Sequence, residues 1–266
     1  MVLVGGVLVV AAAPGLVSSF PPEAQDITRR LIPPAWALGG SPEHLLGTDQ
    51  LGRDLLARIA FGGRVSLLVG GVAVGIAGPI GLLLGLLAGY YGGRTEALVM
   101  GLVDVLLATP FILLAIVVAA IIGPGLRNVL IVLSFTGWVV FARIVHSRAL
   151  SVKASEFIEA ARAIGASDVR ILHSHVLPHV LGPFIVVAAL QVGRMMLAEA
   201  SLSFLGLGVE ASKPTWGMML GVSRNYILTA SWILTFPGLA ITLTVLGINL
   251  IGDWLRNLVD PRLRGA

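Results

Sequence analysis

Six apolar runs of bilayer length decide what this chain can fold into: 2–20, 65–91, 97–122, 129–145, 180–202 and 227–251. A helix needs about 20 mostly apolar residues to cross a hydrocarbon core of about 30 Å. Hydrocarbon offers a stray amide no partner, so each run is expected to satisfy its own backbone as a helix. The expected fold class is therefore an all-α integral membrane protein with six transmembrane helices. Composition agrees: of 266 residues 56% are hydrophobic and only 12% charged, half the roughly 25% charged of a soluble domain. The net charge of +4 comes from scattered basic residues with no run of five. That argues against nucleic acid as a partner and for loops that face membrane lipid and another protein. Cysteine is absent, which excludes disulfides and thiolate metal sites. The first run has the length of a signal peptide and contains "AAAPG", but no Lys or Arg precedes it, so it reads as a span.

Basic residues set the orientation. Arg148, Lys153, Arg162 and Arg170, with Arg143 close by, fall between the fourth and fifth runs, and Arg256, Arg262 and Arg264 fall in the tail. The positive-inside rule puts both segments in the cytoplasm, and an even number of spans puts the N-terminus there too. The expected organisation is a first span at 1–20, an extracytoplasmic loop at 21–64, a five-helix core at 65–252 and a cytoplasmic tail at 253–266. The first loop carries Arg29, Arg30, Arg53, Arg58 and Arg64 against the rule, with Glu23, Asp26, Glu43, Asp49 and Asp54 to balance them. It reads as a folded cap or as part of a docking surface. The last outer loop, around Lys213, is apolar enough to dip into the bilayer as a short helix.

In the second run Gly71, Gly75, Gly78, Gly85 and Gly89 recur at helical spacing, the pattern of a face that lets a neighbouring helix come close. Pro79 and Pro110 should kink or open their helices. Three ionisable residues lie inside runs: Asp104, Arg194 and Glu199. Charges are costly in hydrocarbon, so each should face the bundle interior or a wet cavity, either as interhelical pairing or on a translocation path. Arg194 falls about 20 Å from the cytoplasmic end of its run, and Glu199 is rotated by about 140° from it and poorly placed as its partner.

The segment 150–178 is the longest polar interruption. Ser155 can cap a helix that holds Glu156 and Glu159 in its first turn, with Phe157, Ala161 and Ile164 as an apolar stripe. Gly165 suits the left-handed residue that ends it, and Ser167 with Asp168 can start a second helix running to Pro178. Ala160 and Ala161 are small enough for a helix lying in a partner's groove. Spacing alone leaves this reading level with an amphipathic linker resting on headgroups.

Within this segment "EAARAIG" followed by "HVLP" resembles the EAA loop of ABC importer permeases, on Glu159, Ala160, Ala161, Gly165, His175, Leu177 and Pro178. His175 stands where the general pattern has isoleucine and where the peptide and nickel branch commonly has histidine. "HLLGTDQLGRDLLAR" from His44, "AEASLSFLGLG" from Ala198 and "NLIGDWLRNLVDPRLR" from Asn249 resemble the same branch, so the likeness runs through nearly the whole chain. It implies a DppC/OppC-type permease with the type I importer fold and cytoplasmic EAA coupling helices at the seven residues just named. It also implies a bacterial plasma-membrane subunit that imports dipeptides, oligopeptides, nickel or another small solute. The implied partners are a second homologous permease (DppB/OppB-type), one or two ABC ATPases or a fused one, and an extracytoplasmic binding protein.

The chain is not expected to be an enzyme. Neither lysine, Lys153 nor Lys213, sits in a G-x-x-x-x-G-K-[ST] phosphate loop, and His173 and His175 lie on different helix faces without metal spacing. No cofactor is expected in this chain; the resemblance places ATP and Mg on the partner ATPases. A secondary transporter should show internal repeats, which are not evident, and a non-transporting scaffold would leave the ionisable residues of the spans without purpose.

Overall fold

The computed structural model describes residues 14–208 and 214–259. Most of the expected first span, the Lys213 loop and the end of the tail lie outside the described residues. Among the described residues four helices are long and apolar enough to cross a membrane: α1 (Leu55–Tyr91), α4 (Leu126–Lys153), α6 (Asp168–Phe204) and α8 (Trp232–Val259). Between α1 and α4 lie α2 (Gly93–Ala108) and α3 (Phe111–Ile122); α5 (Glu156–Ala163) precedes α6 and α7 (Trp216–Ser223) precedes α8.

The expected third span, 97–122, is not one straight helix. α2 and α3 meet at 87°. Pro110 cannot donate to the Leu106 carbonyl and forces Thr109 out of the helical region, to φ −84° and ψ 120°. Thr109 caps the break, its amide and its hydroxyl both donating to the Val105 carbonyl, at 3.1 and 2.9 Å. Pro79, by contrast, sits within an unbroken α1.

At 37 residues α1 is about 55 Å long, well beyond the hydrocarbon thickness. It starts at Leu55, ten residues before the apolar run, because Asp54 caps it and accepts the Ala57 amide at 2.7 Å. Residues 18–54 fold as a cap over this end. Asp49 and Arg53 pair at 2.6 Å, Arg58 stands 3.5 Å from Asp49, and Nδ1 of His44 lies 2.9 Å from Asp54. All five side chains are buried, so the cap hides much of its charge within itself. Trp232 Nε1–H ties the start of α8 to the cap through the Thr48 carbonyl at 3.2 Å.

α7 is a short helix packed inward: Thr215 caps it, Trp216 is buried, and Gly217 lies so close to Ala200 of α6 that no side chain fits between them. The expected sixth span begins at Trp232 rather than 227, after a turn in which the Ala230 amide bonds to the Tyr226 carbonyl at 2.7 Å.

The glycine row is real but shifted. Gly71 and Gly75 face open space. The close approach to α4 runs through Gly81, Gly85 and Gly89, one turn apart, where added β-carbons would run into the backbone at Trp138, Ala142 and His146. Gly78 faces Phe184 of α6. A methyl at Gly85 would sit 2.6 Å from the Ala142 carbonyl oxygen, a backbone atom with no room to retreat. Gly85→Ala should therefore destabilise the protein by about 1–3 kcal/mol, and Gly75→Ala should not. Thermal unfolding in detergent of the two variants side by side checks this; equal melting temperatures would contradict it.

Candidate functional site

At the other end of α1, away from the cap, the segment after α4 turns out of the bundle. α5 ends at Gly165, whose φ of +82° is the left-handed conformation expected. The Gly165 amide bonds to the Arg162 carbonyl at 2.9 Å and the Ala166 amide to the Ala161 carbonyl at 3.0 Å, the paired bonds of a Schellman stop. Ser155 and Ser167 occupy the expected cap positions without side-chain cap bonds. Both helices begin with acids, Glu156 and Glu159 in one and Asp168 in the other, which suits their dipoles.

The second loop helix does not stop at Pro178. It continues into the membrane as α6, one body from Asp168 to Phe204. A π-turn over Leu172–Val176 makes this possible, its last bond running from the Leu177 amide to the Leu172 carbonyl. Pro178 has no amide to offer and its ring crowds the carbonyl four residues back; a wider turn there relieves the clash.

The buried stripe also differs from the expected one. Ile158, Ala161 and Ile171 pack against Tyr90, Val145, Ala149 and Val176, whereas Phe157 and Ile164 point outward, as does Val169. Of the seven motif residues, Glu159, Ala160, Gly165 and Pro178 are exposed, His175 and Leu177 are half-buried, and Ala161 is turned into the core. The Phe157 ring lies 5.6 Å from His179 and 6.4 Å from His175, so the outer face runs from α5 onto α6.

Tyr90 is a residue that sequence reasoning missed. It is buried at the end of α1, and its hydroxyl donates to Asp168 Oδ1 at 2.6 Å. Arg162 sits 5.6 Å from its ring centre and Lys153 5.9 Å. The loop is thus pinned to a span 78 positions earlier in the chain. Only the amphipathic tyrosine at the end of an apolar run hinted at it.

The three in-span ionisable residues part company. Glu199 is fully buried and accepts the Ser203 hydroxyl at 2.7 Å. It lines no open route in this chain, since its side chain is wholly covered. Arg194 is exposed on α6 and makes no hydrogen bond or ion pair among the described residues. Leu197 and Ser201, on the same face one and two turns on, line an open groove of about 510 Å³ with Phe204, Leu220, Ile241 and Thr242. Asp104 has a partner the sequence did not offer. Arg143, taken with the basic loop, lies within α4 and bonds to Asp104 at 2.7 Å.

Residues 81–265 match the family model described as the binding-protein-dependent transport system inner membrane component. The chain belongs to that family. It is 44% identical over 264 residues to the dipeptide transport system permease DppC of Alkalihalophilus pseudofirmus, a match covering 99% of this chain and 84% of the relative. It is 43% identical to the di/tripeptide permease DppC of Pseudomonas aeruginosa, covering 94% and 82%. The glutathione permease GsiD of Pectobacterium atrosepticum is 45% identical over 85% of this chain and 75% of its own. The fold is similar to that of chains in inward-facing structures of the MetNI methionine ABC transporter, with TM-scores of 0.57 and 0.58 at 22% and 21% identity. Those matches cover 74% and 77% of this chain and 91% and 94% of the MetNI chains. The permease is therefore a multi-pass inner-membrane subunit of an ABC transporter, and a non-catalytic one.

A β-carbon at Gly165 meets no neighbour, so the cost of substitution is conformational alone. Gly165→Ala should loosen the Schellman stop by about 1–2 kcal/mol, and Gly165→Asn, which tolerates the left-handed region, by less. Amide hydrogen exchange across 156–168 should quicken in that order; identical exchange in both variants would refute the assignment.

Proposed function

We propose that this permease is a six-span, peptide-importing subunit that receives an ATPase on its 150–178 loop. The observation that carries the reading is mechanical. The exposed face of α5 sits on a bend whose other arm is itself a membrane helix, so a push on Glu159 or Ala160 is delivered along α6. The peptide substrate rests on the relatives, which are permeases of dipeptide, tripeptide and glutathione transport systems.

The sixth span is the apolar run at 2–20. With it, both termini fall on the side of the loop, and the clustering of Arg148, Lys153, Arg162, Arg170 and Arg256 at that end makes the side cytoplasmic. The cap then faces outward, where a substrate-binding protein would dock. A second, homologous permease completes the membrane unit, and one or two ATPases, or a fused one, bind ATP and Mg on the cytoplasmic side. The motif residues divide the labour. Glu159 and Ala160 meet the ATPase, Gly165 sets the bend, Ala161 anchors α5 to the core, and His175, Leu177 and Pro178 shape the widened turn that joins the bend to the span.

Two measurements on the purified, reconstituted complex test this. Glu159→Lys reverses a charge on the exposed face without touching the core. It should insert and assemble normally yet lower substrate-stimulated ATP hydrolysis and uptake together, by about tenfold if one charge-assisted contact of about 1.5 kcal/mol is lost. Normal transport by this variant would count heavily against the loop as the coupling element. Arg194, exposed at depth in α6, belongs on the translocation path as counter-charge to an anionic substrate group. Arg194→Ala should slow uptake while leaving assembly and basal ATP hydrolysis intact, and loss of assembly alone would make it structural instead.

A further inference from the structure

We propose that the Asp104–Arg143 pair is a solvated station of the transport route that reads the charged termini of the passing peptide, an inference that rests on the peptide-importer reading above. Both side chains are more than half exposed, 69% for Asp104 and 55% for Arg143, although they bond to each other at 2.7 Å. Their depth can be gauged twice. Asp104 lies eleven residues into α2, counting from Gly93, and Arg143 ten residues before the end of α4 at Lys153. At 1.5 Å per residue both counts give about 15 Å from the loop end, the middle of a hydrocarbon core of about 30 Å. An ion pair cannot remain open to lipid at that depth, so water or protein must meet it.

The surroundings favour water. α2 presents two exposed faces of different character. Leu98, Leu102 and Val105 form one, large and apolar as lipid contact requires, and Ala97, Gly101, Asp104 and Ala108 form the other, with the exposed Leu107 at its far edge. Gly101 has no atom within 4 Å of where its β-carbon would be. The charged face is therefore open, and stripped of bulk on the side of Gly101. Toward the loop, two turns back from Asp104 along α2, a second polar pair follows, His146 Nε2 standing 2.9 Å from Glu96. Polar groups thus continue from the cytoplasmic end to the middle of the membrane along one seam between α2 and α4.

A free peptide carries an ammonium and a carboxylate. Asp104 offers an acceptor for the first and Arg143 a planar donor fork for the second. Each charge can exchange its partner in the protein for one on the substrate, so neither is left bare as the peptide passes.

The absence of native cysteine makes the test direct. Asp104→Cys, Arg143→Cys and, as a variant that keeps the pair, Gly101→Cys are placed singly in a reconstituted complex whose partner subunits lack cysteine. Each is exposed to a charged, membrane-impermeant methanethiosulfonate in inside-out vesicles. The probe ligand is an equimolar mixture of alanine-led dipeptides, compared with the same peptides acetylated and amidated at their ends. All three positions should label. At about ten times the half-saturating concentration, free dipeptides should slow labelling at Gly101→Cys by about tenfold, and the capped peptides should not. Failure to label at any of the three would mean that the second permease or lipid covers the pair, and would overturn the proposal. Equal protection by free and capped peptides, or none by either, would also overturn it. Failure of the underlying peptide-importer reading has a separate signature: the unmodified complex would take up none of the dipeptides, and the station would fall with it.

Discussion

In hydrocarbon, apolar side chains gain nothing by leaving lipid for one another, so the helices of this chain can be held together only by packing and by polar contacts. The row Gly81, Gly85 and Gly89 is where that constraint is met. It lets α1 lie with its backbone against that of α4, and the remainder of the bundle is arranged about this pair: Gly78 receives Phe184 from α6, and Gly70 receives Met196. Because α1 also reaches both ends of the molecule, its fixed position relative to α4 sets the cap at one end and the loop at the other. Asp54 caps its first turn and Tyr90 grips the loop from its last.

The cap obeys a different rule from the spans. It is rich in basic residues, and three of them, Arg29, Arg53 and Arg58, are paired locally. Arg53 and Arg58 share Asp49, Arg29 pairs with Glu43, and His44 meets Asp54. The buried pairs among these, Arg53 and Arg58 with Asp49, contribute little net stability, since desolvation offsets most of the attraction, but removing one partner leaves a buried charge exposed to its full cost. Their effect is to fix a single arrangement of a long, proline-rich segment over the ends of α1 and α8.

What the sequence disclosed follows from where the information lies. Apolar runs announce helices because the membrane filters out every alternative, and the Gly165 bend is legible because a left-handed stop is a local requirement. Long-range partners leave no such trace. Nothing around Asp104 pointed to Arg143, thirty-nine positions on, and Arg143 itself looked like loop charge because the basic residues after it are loop charge. The misplaced stripe in α5 has the same origin. Phe157 and Ile164 are apolar and correctly spaced, but α5 carries apolar residues on its outer face as well as its inner one, and periodicity cannot say which stripe is buried. Helix ends are blurred where charge and burial coincide, as at Arg58, which reads as a basic residue of the first loop and is buried against Asp49 in the first turn of α1.

These attachments decide what motion the loop can make. If α5 hung between flexible linkers, a force on it would be spent in bending the chain. Instead Ile158, Ala161 and Ile171 are buried against the ends of α1 and α4, and full burial of such side chains is worth about 1.5–3 kcal/mol apiece for the larger ones. The Tyr90–Asp168 bond closes the assembly from the side of α1. On the other side the loop passes through a single π-turn into α6 without any break in the helix. A displaced α5 must therefore either shear this small core open or carry α1, α4 and α6 with it. Because α1 and α4 are locked backbone to backbone, and Gly70 and Gly78 of α1 seat Met196 and Phe184 of α6, the second course moves the three helices together. Arg194 on the exposed face of α6 and Arg143 on α4 are then carried with the loop rather than left behind by it.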